Sequence, residues 1–173
     1  MQQVAFLRNV NQGQRGQPST ADIVAAFRAA GAVDVQLFQS NGTVLFAAAS
    51  PDAVVVDVPQ VLASLSGFEA VVFSRPLAFI EQVVARSADA ADLGRRELTL
   101  FTDEVAITDE VAAAAQAAKR RCTIVEHGAG WAVLTNDADR QSNGTPALEA
   151  ALGTPASSRG IPTLVRLVDR FSR

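Results

Sequence analysis

The chain has 173 residues, 49% of them apolar and 19% charged, with a formal net charge of −3. That supplies a core for one large domain or two small ones. It leaves no general electrostatic pull toward nucleic acid or an anionic membrane.

No apolar run approaches the roughly 18 residues of a membrane helix. Strand-like residues begin at Val4 with no basic leader before them. A single cysteine, Cys122, excludes an internal disulfide framework. A soluble cytoplasmic protein is the expectation.

Val4, Ala5, Phe6 and Leu7 form a short apolar run suited to a buried strand. A polar loop over residues 8–18 follows, containing Arg8, Asn9, Asn11, Gly13, Arg15 and Gly16. Ser19 or Thr20 caps a predicted helix in which Ile23, Val24, Phe27 and Ala30 recur at helical spacing, and Gly31 ends it. Residues 33–46 read as a hairpin, because apolar runs flank Asn41-Gly42, a dipeptide suited to a type I′ turn. Gln39, Ser40 and Asn41 make its tip polar.

Val54, Val55 and Val56 favour strand by propensity, and Pro59 is not expected inside a helix. The expectation is a short helix over 58–66 capped by Asp57, with Pro59 in its first turn where proline is tolerated, a strand over 69–73, and a helix over 77–85 started near Ser74. Residues 87–94 are polar and alanine-rich, and they form the expected seam between domains at 1–86 and 95–173. A second round follows: a strand over 97–101, a helix over 108–118 capped by Thr108, and a hairpin over 121–134 turning at His127-Gly128-Ala129-Gly130. Strand, helix and hairpin thus recur, as a repeat of element order rather than of residues. A short helix over 146–152 ends at Gly153, and residues 159–171 form the last helix.

Strand-helix-strand-strand-helix-strand is the split βαβ order, in which a right-handed crossover leaves a gap that the third strand fills. The expected fold is therefore α+β, with a ferredoxin-like N-terminal half and a second, smaller α+β half. In that order Arg8, leaving the first strand, and the tip at Ser40-Asn41 share one edge of the sheet. Arg8 and Arg15 bring charge, and Asn9, Asn11, Gln39, Ser40 and Asn41 bring directional hydrogen bonds. The start of the first helix adds N–H groups. These residues are the candidate anion-binding rim. The plainer alternative is that they satisfy one another and the loop backbone.

Catalytic groups are scarce. His127 is the only histidine and reads as a solvated turn residue with no orienting partner. Cys122 alternates with Ile124 and reads as a small core residue. Asp103, Glu104, Asp109, Glu110, Asp137 and Asp139 fall at caps and turns, where the helix dipole explains a carboxylate, and they lack metal-ligand spacing. Gly13-Gln14-Arg15-Gly16 lacks the Lys-Ser/Thr of a phosphate-binding P-loop. No metal or cofactor is expected. In the last helix Arg159, Arg166, Arg170 and Arg173 fall opposite Ile161, Leu164, Val165, Val168 and Phe171. That pattern gives a docked helix with a solvated basic face, or an anion or RNA contact to which Arg159 belongs. No surface aromatics interleave there for stacking on single-stranded RNA.

Phe6-Leu7-Arg8-Asn9-Val10-Asn11-Gln12-Gly13 is similar to the opening Leu-Leu-Arg-Gly-Ile-Asn-Val-Gly-Gly of the DUF1697 family of uncharacterised bacterial proteins. Gln39-Ser40-Asn41-Gly42-Thr43-Val44-Leu45-Phe46 resembles that family's Gln-Ser-Gly-Asn-Val-Val-Phe hairpin. The stretch from Leu148 through Gly153-Thr154-Pro155-Ala156 to Arg159 resembles its Leu-Gly-Val-Pro-Ala-Thr-x-Arg-Asn-Trp-Asn-Thr segment. The resemblance implies the same α+β halves and brings no established activity. Arg8, Asn11, Gly13, Gln39, Ser40, Arg159 and Thr163 are kept. Departures include Ser40-Asn41-Gly42 for Ser-Gly-Asn and Arg159-Gly160-Ile161-Pro162-Thr163 for Arg-Asn-Trp-Asn-Thr. The functional expectation is a non-catalytic module that holds an anionic small molecule or a nucleic-acid segment at the rim. The alternative is an enzyme of unknown type acting on a phosphorylated substrate.

Overall fold

A computed structural model describes residues 1–172. The described residues are α+β, with two four-stranded antiparallel sheets and six helices. In chain order the elements begin with β1 (Gln2–Leu7), α1 (Thr20–Ala29), β2 (Val33–Phe38), β3 (Thr43–Ala47), α2 (Pro51–Ser66), β4 (Val72–Pro76) and α3 (Leu77–Ser87). A 3-10 turn at Leu93–Arg95 leads to β5 (Arg96–Leu100), α4 (Glu110–Lys119), β6 (Cys122–Gly128), β7 (Trp131–Asn136), α5 (Gly144–Leu152), β8 (Ser157–Gly160) and α6 (Ile161–Phe171). The sheets run β2-β3-β1-β4 and β6-β7-β5-β8. The chain divides into two compact units, Met1–Phe79 and Ile80–Arg173.

In the first unit β3 lies between β1 and β2 and is antiparallel to both. One face of the sheet, through Ala5, Leu7, Val44 and Phe46, packs with Ile23, Ala26 and Phe27 of α1 and Val54, Val58 and Leu62 of α2. The rings of Phe27 and Phe46 meet with centroids 5.2 Å apart at 59°. Burying a side chain of this size stabilises by about 1.5–3 kcal/mol.

Val54, Val58 and Leu62 recur four residues apart, and this stripe overrides the strand propensity of the valine run. The α2 helix is consequently 16 residues long, starting at Pro51 rather than at the expected residue 58, and Pro59 lies inside it. The lost N–H of Pro59 costs less than the burial of three large side chains returns.

The hairpin is present, but its turn is wider than expected. Phe38 pairs with Thr43, which leaves the four-residue loop Gln39-Ser40-Asn41-Gly42. The left-handed positions are Gln39 (φ 66°) and Gly42 (φ 73°), not Asn41. A Cβ at Gly42 would fall 2.7 Å from Val10 Cβ and 3.0 Å from Leu7 Cβ, so the tip closes down on the first strand only with glycine there. Further on, β4 begins at Val72, three residues later than the expected strand start at 69.

The second unit gathers Phe101, Ile107, Ala113, Ala117, Ala132, Leu134, Ala147 and Leu148 into one core. Its α4 is capped by Asp109, whose carboxylate accepts the Ala112 N–H at 2.9 Å, in place of the expected Thr108. Gly128 pairs with Trp131, so the hairpin turns on Ala129-Gly130 alone and His127 belongs to strand β6.

Residues 157–160 overturn another expectation. They form β8, antiparallel to β5 with Arg159 opposite Leu98. The free edge of β5 requires partners for its backbone groups, and this segment supplies them. Arg159 is therefore a strand residue, and the last helix begins at Ile161. No helix among the described residues is long and apolar enough to cross a membrane.

Candidate functional site

The polar loop after β1 is tied to the hairpin tip through main-chain hydrogen bonds. Leu7 N–H donates to the Gly42 carbonyl at 2.8 Å and Gln12 N–H to the Ser40 carbonyl at 2.9 Å. On the other side Arg8 N–H donates to the Val71 carbonyl at 2.8 Å. Val10 is buried beneath the tip, and Asn9 turns the chain there with φ 61°. Arg8, Asn9 and Asn11 thus share one edge of the sheet with Gln39, Ser40 and Asn41.

Asn9, Asn11, Arg15, Gln39 and Ser40 are exposed, while Arg8 and Asn41 are half-buried. Arg15 lies farther along the same loop, between Gly13 and Gly16, whose φ values of 94° and 82° let the backbone reverse. Arg159 is not brought to this edge by the sheet of the first unit, because it belongs to β8 of the second. There it is buried, and its Nη1 donates to the Ser158 carbonyl at 2.7 Å and to Ser157 Oγ at 3.0 Å. Burial disfavours the charged form and pulls the guanidinium down to about 9. The solvated basic face expected to include it loses that member.

Part of the loop satisfies itself. Asn11 N–H donates to Gln17 Oε1 at 2.9 Å, Gln12 Nε2 to Thr20 Oγ1 at 3.1 Å, and Thr43 Oγ1 to Asn41 Oδ1 at 2.8 Å. The start of α1 is also occupied. Ser19 and Asp22 form a reciprocal capping box, with Asp22 N–H donating to Ser19 Oγ at 3.1 Å and Ser19 N–H to Asp22 Oδ2 at 2.9 Å. The Ser19 hydroxyl, and then its backbone N–H, hold the Asp22 carboxyl below its ordinary value. The helix brings its own anion, so attraction for an external one falls to Arg8, Arg15 and the amides around them.

A second polar constellation escapes the sequence reading. Glu97 of β5 is 2% exposed. Its Oε1 accepts from Gly144 N–H at 2.6 Å, Asn143 N–H at 3.0 Å and Asn136 Nδ2 at 3.1 Å, and its Oε2 from Ser142 Oγ at 2.6 Å. Beside it Ser158 Oγ joins Thr99 Oγ1 at 2.7 Å to Thr145 Oγ1 at 2.8 Å. The carboxylate caps α5 from a neighbouring strand and is consumed in doing so, which makes it a structural clamp. One signal was available: Glu97 and Thr99 alternate with Leu98 and Leu100, the pattern of a strand with one polar face. Burial of that face follows only from the path of α5.

His127 and Cys122 also have clear settings. His127 pairs with Ala132 across the ladder, and its Nε2 lies 3.4 Å from Glu110 Oε1. Cys122 is buried, and burial followed by the charge of Glu97 pushes its thiol up to about 11. A thiol in that state is a poor nucleophile at neutral pH.

The fold has a solved counterpart. A structure of the conserved bacterial protein SP0830 from Streptococcus pneumoniae matches 97% of this chain and 97% of its own, with TM-score 0.65 and 12% identity. At that identity the likeness concerns the fold. No curated protein matches the chain. The model of a family described as "Protein of unknown function (DUF1697)" matches residues 1–129, a span that contains the rim and ends at the second hairpin's turn. The chain belongs to the DUF1697 family.

Proposed function

We propose that the protein is a non-catalytic binding module that holds a phosphate- or carboxylate-bearing small molecule at the rim of its first unit. The observation that carries this reading is the pair of main-chain bonds from Leu7 and Gln12 to the hairpin tip. They fix a two-arginine loop against a polar turn without using the exposed side chains of Asn9, Arg15, Gln39 or Ser40 in that junction. In this reading Arg8 and Arg15 supply charge-assisted bonds, and Asn9, Asn11, Gln39, Ser40 and Asn41 set the orientation of the bound anion.

The same reading takes the first unit as ferredoxin-like, which its β2-β3-β1-β4 order supports, and the protein as cytoplasmic. A nucleic-acid segment is the weaker occupant, because the net charge of −3 opposes phosphate neutralisation along a strand. An enzyme acting on a phosphorylated substrate would use the same arginines and amides to stabilise charge, with no histidine or carboxylate among the rim's members to serve as a general base.

The experiment is a thermal-shift panel of inorganic phosphate, pyrophosphate, nucleotides and sugar phosphates. A ligand at 100 times its Kd stabilises by about 2.7 kcal/mol, a shift easily read. The module predicts stabilisation by at least one small anion without its turnover. Turnover of the hit would replace the module by an enzyme. Stabilisation only by oligonucleotides would move the reading to nucleic acid.

A further inference from the structure

A cleft lies within the second unit, between the first turns of α4 and the edge strand β6. It measures about 240 Å³ and is lined by Ile107, Glu110, Ala114, Ile124, Val125 and His127. The first unit has different residues at the corresponding positions. Matching α1 to α4 from N-cap (Ser19, Asp109) to C-cap (Ala30, Arg120) sets Ile23, Val24 and Phe27 against Ala113, Ala114 and Ala117. Matching the hairpins by their registers sets Leu37 against His127, and the helix starts set Thr20 against Glu110. Ala113 and Ala117 are core residues. At the cleft itself Ala114 stands where the first unit has Val24, and His127 and Glu110 stand where it has Leu37 and Thr20.

The chemistry of the cleft has two parts. Ile107, Ala114 and Ile124 offer an apolar wall, and Val125, at 42% exposure, leaves apolar surface at its edge. The mouth is acidic. Glu110 is largely exposed beside His127, and Asp109, also exposed, caps the helix just before it. The positive end of the α4 dipole opposes a cation here, but it amounts to about half a charge against the carboxylates of Glu110 and the cap residue Asp109.

We infer that the cleft between α4 and β6 binds a small organic cation, an amine or amidine carried on a short aliphatic or aromatic body. The cationic head donates to the Glu110 carboxylate, and the body displaces water from the Ile107–Ala114–Ile124 wall. An anion is repelled by the mouth. A neutral analogue keeps only the apolar contact.

His127 is the chain's single histidine, so its imidazole gives one resolved NMR signal. Benzylamine is the probe, with benzyl alcohol as its uncharged control. The inference predicts a saturable shift of the His127 signal with benzylamine, and about tenfold weaker binding for the alcohol, the worth of one charge-assisted bond. Glu110→Gln weakens benzylamine by about the same factor. Ala114→Leu, which restores the bulk carried by Val24 in the first unit, abolishes binding while leaving the melting midpoint in place. Equal affinity for amine and alcohol, unchanged binding in Ala114→Leu or Glu110→Gln, or no saturable shift with benzylamine would each overturn it.

Discussion

The two units run through the same elements in the same order, yet differ at matching edges of their sheets. Both arrange four strands alike, and Leu7 N–H to the Gly42 carbonyl has its match in Phe101 N–H to the Gly130 carbonyl. Both edge strands slip register at corresponding points, between Val33 and Gln36 and between Ile124 and Glu126. Ser74-Arg75 and Ser158-Arg159 occupy the same register, and in each the arginine Nη1 donates to the preceding serine carbonyl at 2.7 Å. Leu77, Ile80 and Val83 of α3 are buried as Ile161, Leu164 and Leu167 of α6 are.

The edges then part ways. The first unit has a loop from Arg8 to Ser19 with two arginines and a four-residue polar tip. The second has a shorter loop from Phe101 to Asp109 with Asp103 and Glu104, and a tip of Ala129-Gly130 only. Shared backbone pairing sets the fold, and the loops at its ends are free to take up opposite chemistry.

Substitutions at paired positions sharpen this contrast. The largest effect is expected at Phe27, fully buried against Phe46, where truncation to alanine costs about 3–5 kcal/mol. The matching position of the second unit is already Ala117 and has no such side chain to lose. Denaturant unfolding measures the loss, and a parent-like midpoint for Phe27→Ala would mean that α1 is not docked through this ring.

Next comes Glu97→Ala, which leaves the buried N–H of Gly144 and its neighbours without their acceptor, at about 1–3 kcal/mol for each orphaned group. Gln3, its counterpart in β1, caps no helix, so Gln3→Ala should cost less. Equal losses would contradict the clamp.

Gly42→Ala follows, at about 1–3 kcal/mol, because φ 73° and the close Cβ of Val10 both oppose a side chain. Gly13→Ala meets only the backbone term, since nothing lies within 4 Å of its Cβ, and should be milder.

The order of elements, the α1 stripe and both hairpins were legible in the sequence, because period and turn residues are local signals. The four-residue tip was not, since Asn41-Gly42 alone suits a two-residue turn and only contact with Leu7 and Val10 selects Gly42 as the left-handed residue. The full length of α2 was hidden by three valines and Pro59, whose local preferences yield to an apolar stripe seen only against the sheet. β8 was hidden because Ser157-Ser158-Arg159-Gly160 carries no strand propensity and pairs only because β5 has an open edge. The rim's two segments could be brought together from strand order. The Ser19–Asp22 capping box could have been read from the residues, and it withdraws the helix start from anion binding.

The smallest predicted effect tests that last point. The lowered Asp22 carboxyl contributes stability above the ordinary carboxylate range, and the contribution is lost as pH falls through its depressed value. The gap in melting midpoint between the parent and Asp22→Asn should therefore be present at neutral pH and close as pH falls below about 4. A gap that persists or widens in acid would exclude the capping box as its source.

The central claim is that anion chemistry belongs to the edge of the first unit and not to its counterpart. Backbone NMR during titration with pyrophosphate tests it directly, reading the glycine amides of both edges in one spectrum. The account predicts saturable shifts at Gly13, Gly16 and Gly42, lost in Arg8→Ala without a change of fold, and silence at Gly128 and Gly130. Shifts centred on Gly128 and Gly130, or shifts at the rim that survive Arg8→Ala, would contradict it.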